Sequence, residues 1–385
     1  MTRDPRDELA ELETAGLRRR LRVLDSPQGP SMVIEGRTVR NFSSNDYLGL
    51  AAHPALAEAA ARAARDFGFG AGAARLVCGT LRPHADLEET LARFKHTEAA
   101  LAFGTGFAAG HGTLTALAGK DDFIVLDKLS HASLVDGARA SGATVRVFAH
   151  NKVDQLVSCL RWARQRASAR ARLIVVTESV FSMDGDRAPL PEIVAAKDEF
   201  GAWLILDEAH ATGVFGPQGR GCAAEAGLAD RVEIQLGTLS KALGAHGGFI
   251  AGSRPLVDLL VNKARPFIYA TAPPVPVVAA ARAAVELAAS GEGDARRARL
   301  HEVMRALAEI LGVAPVASPI LPLSVGAEEE ALRVSARLLD AGIFAPAIRY
   351  PTVPRGQARL RFSASAAHSD DDLKALRVAL GKGSR

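Results

Sequence analysis

The 385-residue chain reads as an α/β fold: a mostly parallel, seven-stranded sheet in a large domain, with a smaller α+β C-terminal domain. Three observations predict it. From about residue 85 to residue 252, short apolar runs alternate with helix-patterned segments, the order that yields parallel strands with helical crossovers. Several of the runs are apolar throughout, as expected of strands covered on both faces. The length exceeds that of one ordinary domain and suits one large core plus a second, smaller one.

Taken in order, residues 7–24 alternate charged and apolar side chains at helical spacing, which predicts an amphipathic helix. Met32-Val33-Ile34 and Thr38-Val39-Arg40-Asn41-Phe42 form a hairpin pattern turned at Glu35-Gly36. A loop follows at Asn45-Asp46-Tyr47-Leu48-Gly49, then a helix over 54–66 that Pro54 opens. The expected strands are Ala99–Phe103, Phe123–Asp127, Thr144–Phe148, Leu173–Glu178, Trp203–Asp207, Ile234–Gly237 and Gly248–Ala251. Pro273-Pro274-Val275-Pro276 interrupts the alternation, and one long helix is expected over about 277–311. This divides the chain into an N-terminal helix and hairpin segment (1–50), a large domain (51–275) and a small C-terminal domain (276–385).

Apolar residues make up 48% and charged residues 23%, as in ordinary globular proteins. The net charge of +4 is a mild excess. Its clusters, Arg18-Arg19-Arg20-Leu21-Arg22 and the run from Arg161 to Arg172, read either as solvated helix faces or as attraction for an anionic thioester carrier. A nucleic-acid partner is not expected, on the reading that no aromatic residues interleave with these arginines. Cys78, Cys159 and Cys222 are odd in number and widely spaced, which argues against a disulfide framework or a metal site and for a reducing, cytoplasmic location. The N-terminus opens polar, and the most apolar stretch, Pro273 to Ala289, is interrupted by Arg282 and Glu286, so neither a signal core nor a membrane span is expected.

In parallel sheets, ligands bind beyond the carboxyl ends of the strands, so the residues there carry the functional expectation. Phe103 leads into Gly104-Thr105-Gly106-Phe107-Ala108-Ala109-Gly110, which suits a tight turn, a single phosphate site, or a dinucleotide site whose last glycine is one place late. His131, in Ser130-His131-Ala132-Ser133, is either a hydrogen-bonded core histidine or a ring that stacks on a flat heterocycle. Asp207 closes a buried strand and precedes His210. It is either a helix N-cap or the partner of a protonated pyridine nitrogen. The same Asp-Glu-Ala-His letters occur in helicases, but no G-x-x-x-x-G-K-[ST] loop accompanies them here. Lys241, in Thr238-Leu239-Ser240-Lys241, is either a turn lysine or a nucleophilic amine at a strand end.

Five strings together resemble the fold-type I pyridoxal-phosphate (PLP) enzymes, and within them the α-oxoamine synthases. They are Asn41–Gly49, Ser130–Ser133, Glu178–Asp186 (with Ser182-Met183-Asp184-Gly185), Asp207–Gly213 and Thr238–Lys241, in family order along nearly the whole chain. The resemblance implies PLP as cofactor, with Lys241 carrying it and moving protons, Asp207 on the ring nitrogen, His131 on the ring face, His210 on the ring hydroxyl, and Ser182 contacting cofactor or substrate. Gly106, Phe107 and Thr238 match phosphate-side positions. Thr271 matches a phosphate ligand lent by a neighbouring subunit, which implies a homodimer with shared sites. The stretch Ala347–Pro354, with Arg349 and Thr352, resembles the branch that condenses L-alanine with a pimeloyl thioester. Asn45 and Arg18 match substrate contacts, and Arg361 the guanidinium that grips the amino-acid carboxylate. A glycine-using sister enzyme and a PLP-fold binding protein without activity are the competing readings. The family often carries serines where Gly70-Ala71-Gly72-Ala73-Ala74-Arg75 stands.

Overall fold

A computed structural model describes residues 4–313 and 316–381, which form two compact units. Of the described residues, the larger comprises 44–313, 316–321 and 363–368, the smaller 4–43, 322–362 and 369–381. In the smaller unit, β1 (Ser31–Ile34) and β2 (Arg37–Asn41) make an antiparallel hairpin.

Seven strands build the sheet of the larger unit: β3 (Ala99–Phe103), β4 (Phe123–Asp127), β5 (Thr144–Phe148), β6 (Leu173–Glu178), β7 (Trp203–Asp207), β8 (Ile234–Thr238) and β9 (Gly248–Gly252). They lie in the order β3-β9-β8-β7-β6-β4-β5. β9 runs antiparallel to both neighbours; the remaining neighbours pair in parallel. All seven expected strands are present, within one residue of their expected ends. The strongest apolar runs, such as Ile174-Val175-Val176 and Leu204-Ile205-Leu206, are fully buried, as helix-covered parallel strands must be. The core between sheet and helices contains Ile124, Leu126, Val176, Ile205 and Leu236.

In the smaller unit, β11 (Ile343–Phe344) adds in parallel to β2. A second three-stranded sheet has the order β10-β13-β12, with β10 at Ile320–Gly326, β12 at Ala347–Ile348 and β13 at Ala358–Ser363. Helices Glu328–Asp340 and Asp370–Gly381 complete the pattern.

Three expectations need correction. The N-terminal helix is Pro5–Thr14, not 7–24: Asp4 caps it by accepting from the Arg6 N–H at 2.8 Å, and Gly16 (φ +65°) turns the chain away. The long helix is two, Val275–Ala288 and Gly291–Leu311, parted at Ala289-Ser290. The division at 275/276 does not coincide with that of the structure, because helix Val275–Ala288 packs on helices Pro54–Phe67 and Arg82–Lys95 of the larger unit. Proline breaks the local pattern there without ending the packed body.

The arginine-rich run does contain an aromatic residue, Trp162, and its ring is already covered, with the Arg146 and Arg166 guanidinium carbons 3.9 and 4.5 Å from its centroid. Among the described residues, no helix is long and apolar enough to cross a membrane.

One buried ion pair anchors the carboxyl end of β7. Glu208, fully buried, accepts from Lys95 Nζ at 2.5 Å and from the Ala223 N–H at 2.9 Å, and Lys95 also reaches the Arg220 carbonyl. Removing one member of a buried pair leaves the other charge uncompensated. Glu208→Ala is therefore expected to lower the unfolding free energy by about 3–5 kcal/mol, read from urea denaturation.

Candidate active site

A cavity of about 260 Å³ opens at the carboxyl edge of the sheet, lined among others by Gly106, Phe107, His131, Glu178, Asp207, His210, Thr238 and Lys241. Asp207 ends β7 and Glu178 ends β6, directly paired in register. Lys241 sits in the turn after β8, held by backbone bonds from Gly244 N–H to the Lys241 carbonyl (2.8 Å) and from Leu239 N–H to the Gly247 carbonyl (3.0 Å). Gly244 is left-handed (φ +62°), and a side chain there would collide with the backbone of Leu50 and Ala51. The lysine turn and the 45–51 loop are thus in direct contact.

The phosphate end follows from the same close packing. Thr105 caps helix Gly106–Leu117, its hydroxyl accepting from the Ala108 N–H at 3.0 Å. The first-turn N–H groups of a helix have no intrahelical acceptor and favour an anion. A Cβ at Gly248 would lie 2.5 Å from Gly106 Cα, so glycine in β9 lets the helix start close to Thr238, whose hydroxyl is 2.8 Å from that of Ser240.

The electrostatics of the floor are set by two carboxyls. Burial raises the Asp207 pKa; the Lys241 charge and the Ala209 N–H, which donates to Asp207 Oδ1 at 2.8 Å, work against it. The expected helix cap is not seen, since a turn and not a helix follows; Asp207 caps that turn and is a buried acid. Glu178 is more extreme: burial first, then the neighbouring Asp207, push its carboxyl well above the usual range, opposed by Lys241 and by the His131 backbone N–H. Its Oε1 is buried with no hydrogen-bond partner. His131 opens onto the cavity, its Nδ1 2.8 Å from the Ser133 hydroxyl and 3.2 Å from the Ser133 backbone nitrogen. Loss of hydration lowers the His131 pKa, against the pull of Asp207. Phe107 stands edge-on to it, centroids 6.4 Å apart.

These residues fit PLP. A protonated pyridine nitrogen would be a cation able to offset burial of Asp207. The helix start with Gly106, Phe107, Thr238 and Ser240 suits the phosphate, His131 the ring face, and Lys241 the aldehyde. His210 lies 3.0 Å from Lys241 through Nε2 and 2.7 Å from the Tyr47 hydroxyl through Nδ1.

Ser182, Asn45 and Thr271 belong to the larger unit. Ser182 lies half-buried in the turn after β6. Asn45 Oδ1 accepts from the Tyr47 hydroxyl at 3.1 Å. Thr271 is exposed and bridges to Ala74. Arg18, Arg349, Thr352 and Arg361 belong to the smaller unit: Arg18 pairs with Glu13 at 3.0 Å, the Thr352 N–H donates to the Arg349 carbonyl at 3.0 Å, and Arg361 is buried on β13.

Several residues escaped the sequence reading as site members, among them Ser240 and His246 on the cavity and Glu178, Tyr47 and His150. Glu178 carries the same signal as Asp207, an acid closing an apolar strand. Tyr47 lies in a string quoted only for its resemblance. His150 had no signal, since its partners are distant in sequence: Asp127 at 3.0 Å and Asp186 at 2.7 Å. It clamps the turn that carries Ser182.

The family model described as aminotransferase class I and II matches residues 37–380. The chain is 46% identical to the 8-amino-7-oxononanoate synthase of Geobacter metallireducens, over 100% of this chain and 99% of that one. It is 50% identical to the 8-amino-7-oxononanoate synthase of Anaeromyxobacter dehalogenans, over 94% and 90%. A solved structure of SPT with PLP superposes with a TM-score of 0.90 at 31% identity, covering 98% of this chain and 96% of that one. The chain belongs to the class I and II aminotransferase family. Within it, the chain is a PLP-dependent acyltransferase of the α-oxoamine synthase group, and PLP is its cofactor.

Two pH effects follow. Burial opposes a charged His150, but hydrogen bonds and charge from Asp127 and Asp186 outweigh it and raise its pKa from 6.5 to about 10. A raised histidine pKa contributes stability that is complete below 6.5 and lost as pH rises through about 10. His150→Gln should therefore show its largest deficit in melting temperature at mildly acidic pH, and the gap to wild type should close toward about pH 10. For Glu178 the raised carboxyl means the folded chain keeps a proton that the unfolded chain releases, so stability falls as pH rises above the ordinary carboxylate range. In the cofactor-free chain, Glu178→Gln should lose less melting temperature than wild type between about pH 5 and about pH 8.

Proposed function

We propose that this protein condenses L-alanine with a pimeloyl thioester to give 8-amino-7-oxononanoate, CO₂ and the free thiol, a step toward biotin. The observation that carries this reading is the convergence of Lys241, Asp207 and His131 on one cavity, in a chain aligned over its length with proteins of that name. The bound cofactor supplies an electron sink for negative charge at the amino-acid Cα. The chain supplies the rest. Asp207 keeps the ring nitrogen protonated, and His131 covers the ring. Lys241 takes the proton from the alanine Cα and returns one after the carboxyl group has left as CO₂. Between those events a carbon–carbon bond forms from Cα to the thioester carbonyl, and the thiol departs. Arg361 holds the carboxylate with a two-pronged guanidinium. Asn45, Arg18, Arg349 and Thr352 serve the substrates.

The working form in this reading is a homodimer in the cytoplasm, with Thr271 lent to the partner's phosphate site. What supports it is the apolar surface on the segments around the Ala74–Thr271 bridge: Phe69 is 72% exposed, Val77 79% and Tyr269 70%, more than a solitary chain ordinarily leaves together.

The test is product identity. The loaded enzyme is given alanine or glycine with pimeloyl-, acetyl- or succinyl-CoA, and products are identified by mass spectrometry. Alanine with pimeloyl-CoA should give the 8-amino-7-oxononanoate mass, and Lys241→Ala should reduce its formation by about 10²–10⁴-fold or more. Preference for glycine with a short acyl group would refute the substrate assignment, and wild-type turnover by Lys241→Ala would refute the role of the lysine.

A further inference from the structure

The opposite edge of the same sheet carries a second cavity, of about 690 Å³, lined by the 119–123 turn and the 166–172 segment. Phe123 begins β4 and Arg172 directly precedes β6, so the cavity lies at the amino ends of these parallel strands. Glu178 and Asp207 stand at the carboxyl ends. From Arg172 to Glu178 the chain advances about 20 Å at strand spacing.

Four cations line this cavity, Lys120, Arg166, Arg170 and Arg172, against two carboxylates, Asp121 and Asp122. Asp122 is engaged in folding the turn: its oxygens accept from the Gly119 N–H at 2.9 Å and the Arg172 N–H at 2.7 Å. Lys120 and Arg170 are exposed and, among the described residues, make no ion pair. The other two cations are held by neutral groups, which fix a guanidinium without cancelling its charge. Arg172 Nη1 donates to the Leu117 carbonyl at 2.7 Å, and its guanidinium lies 5.3 Å from the Trp203 ring centroid. Arg166 Nη1 donates to the Trp162 carbonyl at 3.2 Å, and its guanidinium lies over the Trp162 ring.

Cations ordered in advance lose less freedom when a ligand arrives. The planar fork of a guanidinium matches phosphate oxygens, and a cleft lined by one sign of charge concentrates the opposite ion. The volume falls in the range of small-molecule sites and is more than one phosphate group fills. Phe123, partly exposed, adds an apolar wall. We propose that this cavity binds a diphosphate-bearing anion of nucleotide size, at a site separate from the one that receives the PLP phosphate. The inference does not depend on which acyl thioester the protein uses. An acyl carrier seated here would have the sheet between it and Lys241, so the cavity is not a substrate entrance.

The sequence has two tryptophans, Trp162 and Trp203, and both lie against arginines of this cavity. Tryptophan fluorescence of the full-length, PLP-loaded enzyme therefore reports on this edge. It should change saturably on titration with inorganic pyrophosphate or adenosine diphosphate at low salt, and both affinities should fall as salt is raised. Orthophosphate should bind about tenfold more weakly or worse, the scale of one charge-assisted hydrogen bond. Lys120→Glu and Arg170→Glu should each weaken pyrophosphate binding about tenfold or more, while Asp121→Asn should tighten it about two- to fivefold, the scale of an exposed charge pair. These three side chains are exposed, so the variants retain the fold. No saturable change at millimolar pyrophosphate, or equal affinity in wild type, Lys120→Glu and Arg170→Glu, would overturn the site. Adenosine diphosphate binding no more tightly than orthophosphate would overturn the ligand class.

Discussion

The site depends on two acids buried side by side at the ends of adjacent parallel strands. Glu178 and Asp207 face one another in register, each stripped of water, and the cavity cannot hold two bare charges there. Burial and the neighbouring Asp207 raise the Glu178 carboxyl well above the usual range. Burial raises Asp207 as well, and the Lys241 charge works against that rise. A cation placed beside Asp207 would lower the cost of its burial.

Around that floor, position is set by close backbone packing more than by side chains. Gly248 against Gly106 draws the helix start toward Thr238, and Gly244 seats the lysine turn on the 45–51 loop. Lys95 and Glu208 lock β7 from behind, while His150 ties Asp127 to Asp186 across two strand ends. Catalytic groups need placement within fractions of an ångström, and these clamps are made of short strand ends rather than long loops. The ion pairs here are costly to break singly, which suits holding geometry.

The lysine turn has two different sides. His210 lies 3.0 Å from Lys241 on one, and the open cavity lies on the other. The histidine is nearly enclosed and meets Lys241 and Tyr47 through its two ring nitrogens, so its place is set by the fold.

The strands and their order along the chain were legible in the sequence, because unbroken apolar runs and small-residue turns are local signals. Local pattern also placed Asp207 and Lys241 at the edge where ligands bind. It failed where the outcome depended on packing: the proline run at 273–276 looked like a domain boundary, yet the helix after it belongs to the larger unit. The antiparallel insertion of β9, the pairing of Glu178 with Asp207, and the His150 clamp joined residues tens of positions apart. Sequence determined which residues can carry the chemistry. Only tertiary structure decided which of them are buried side by side, because the energy of a buried charge depends on the neighbours that replace its water, and those come from different strands.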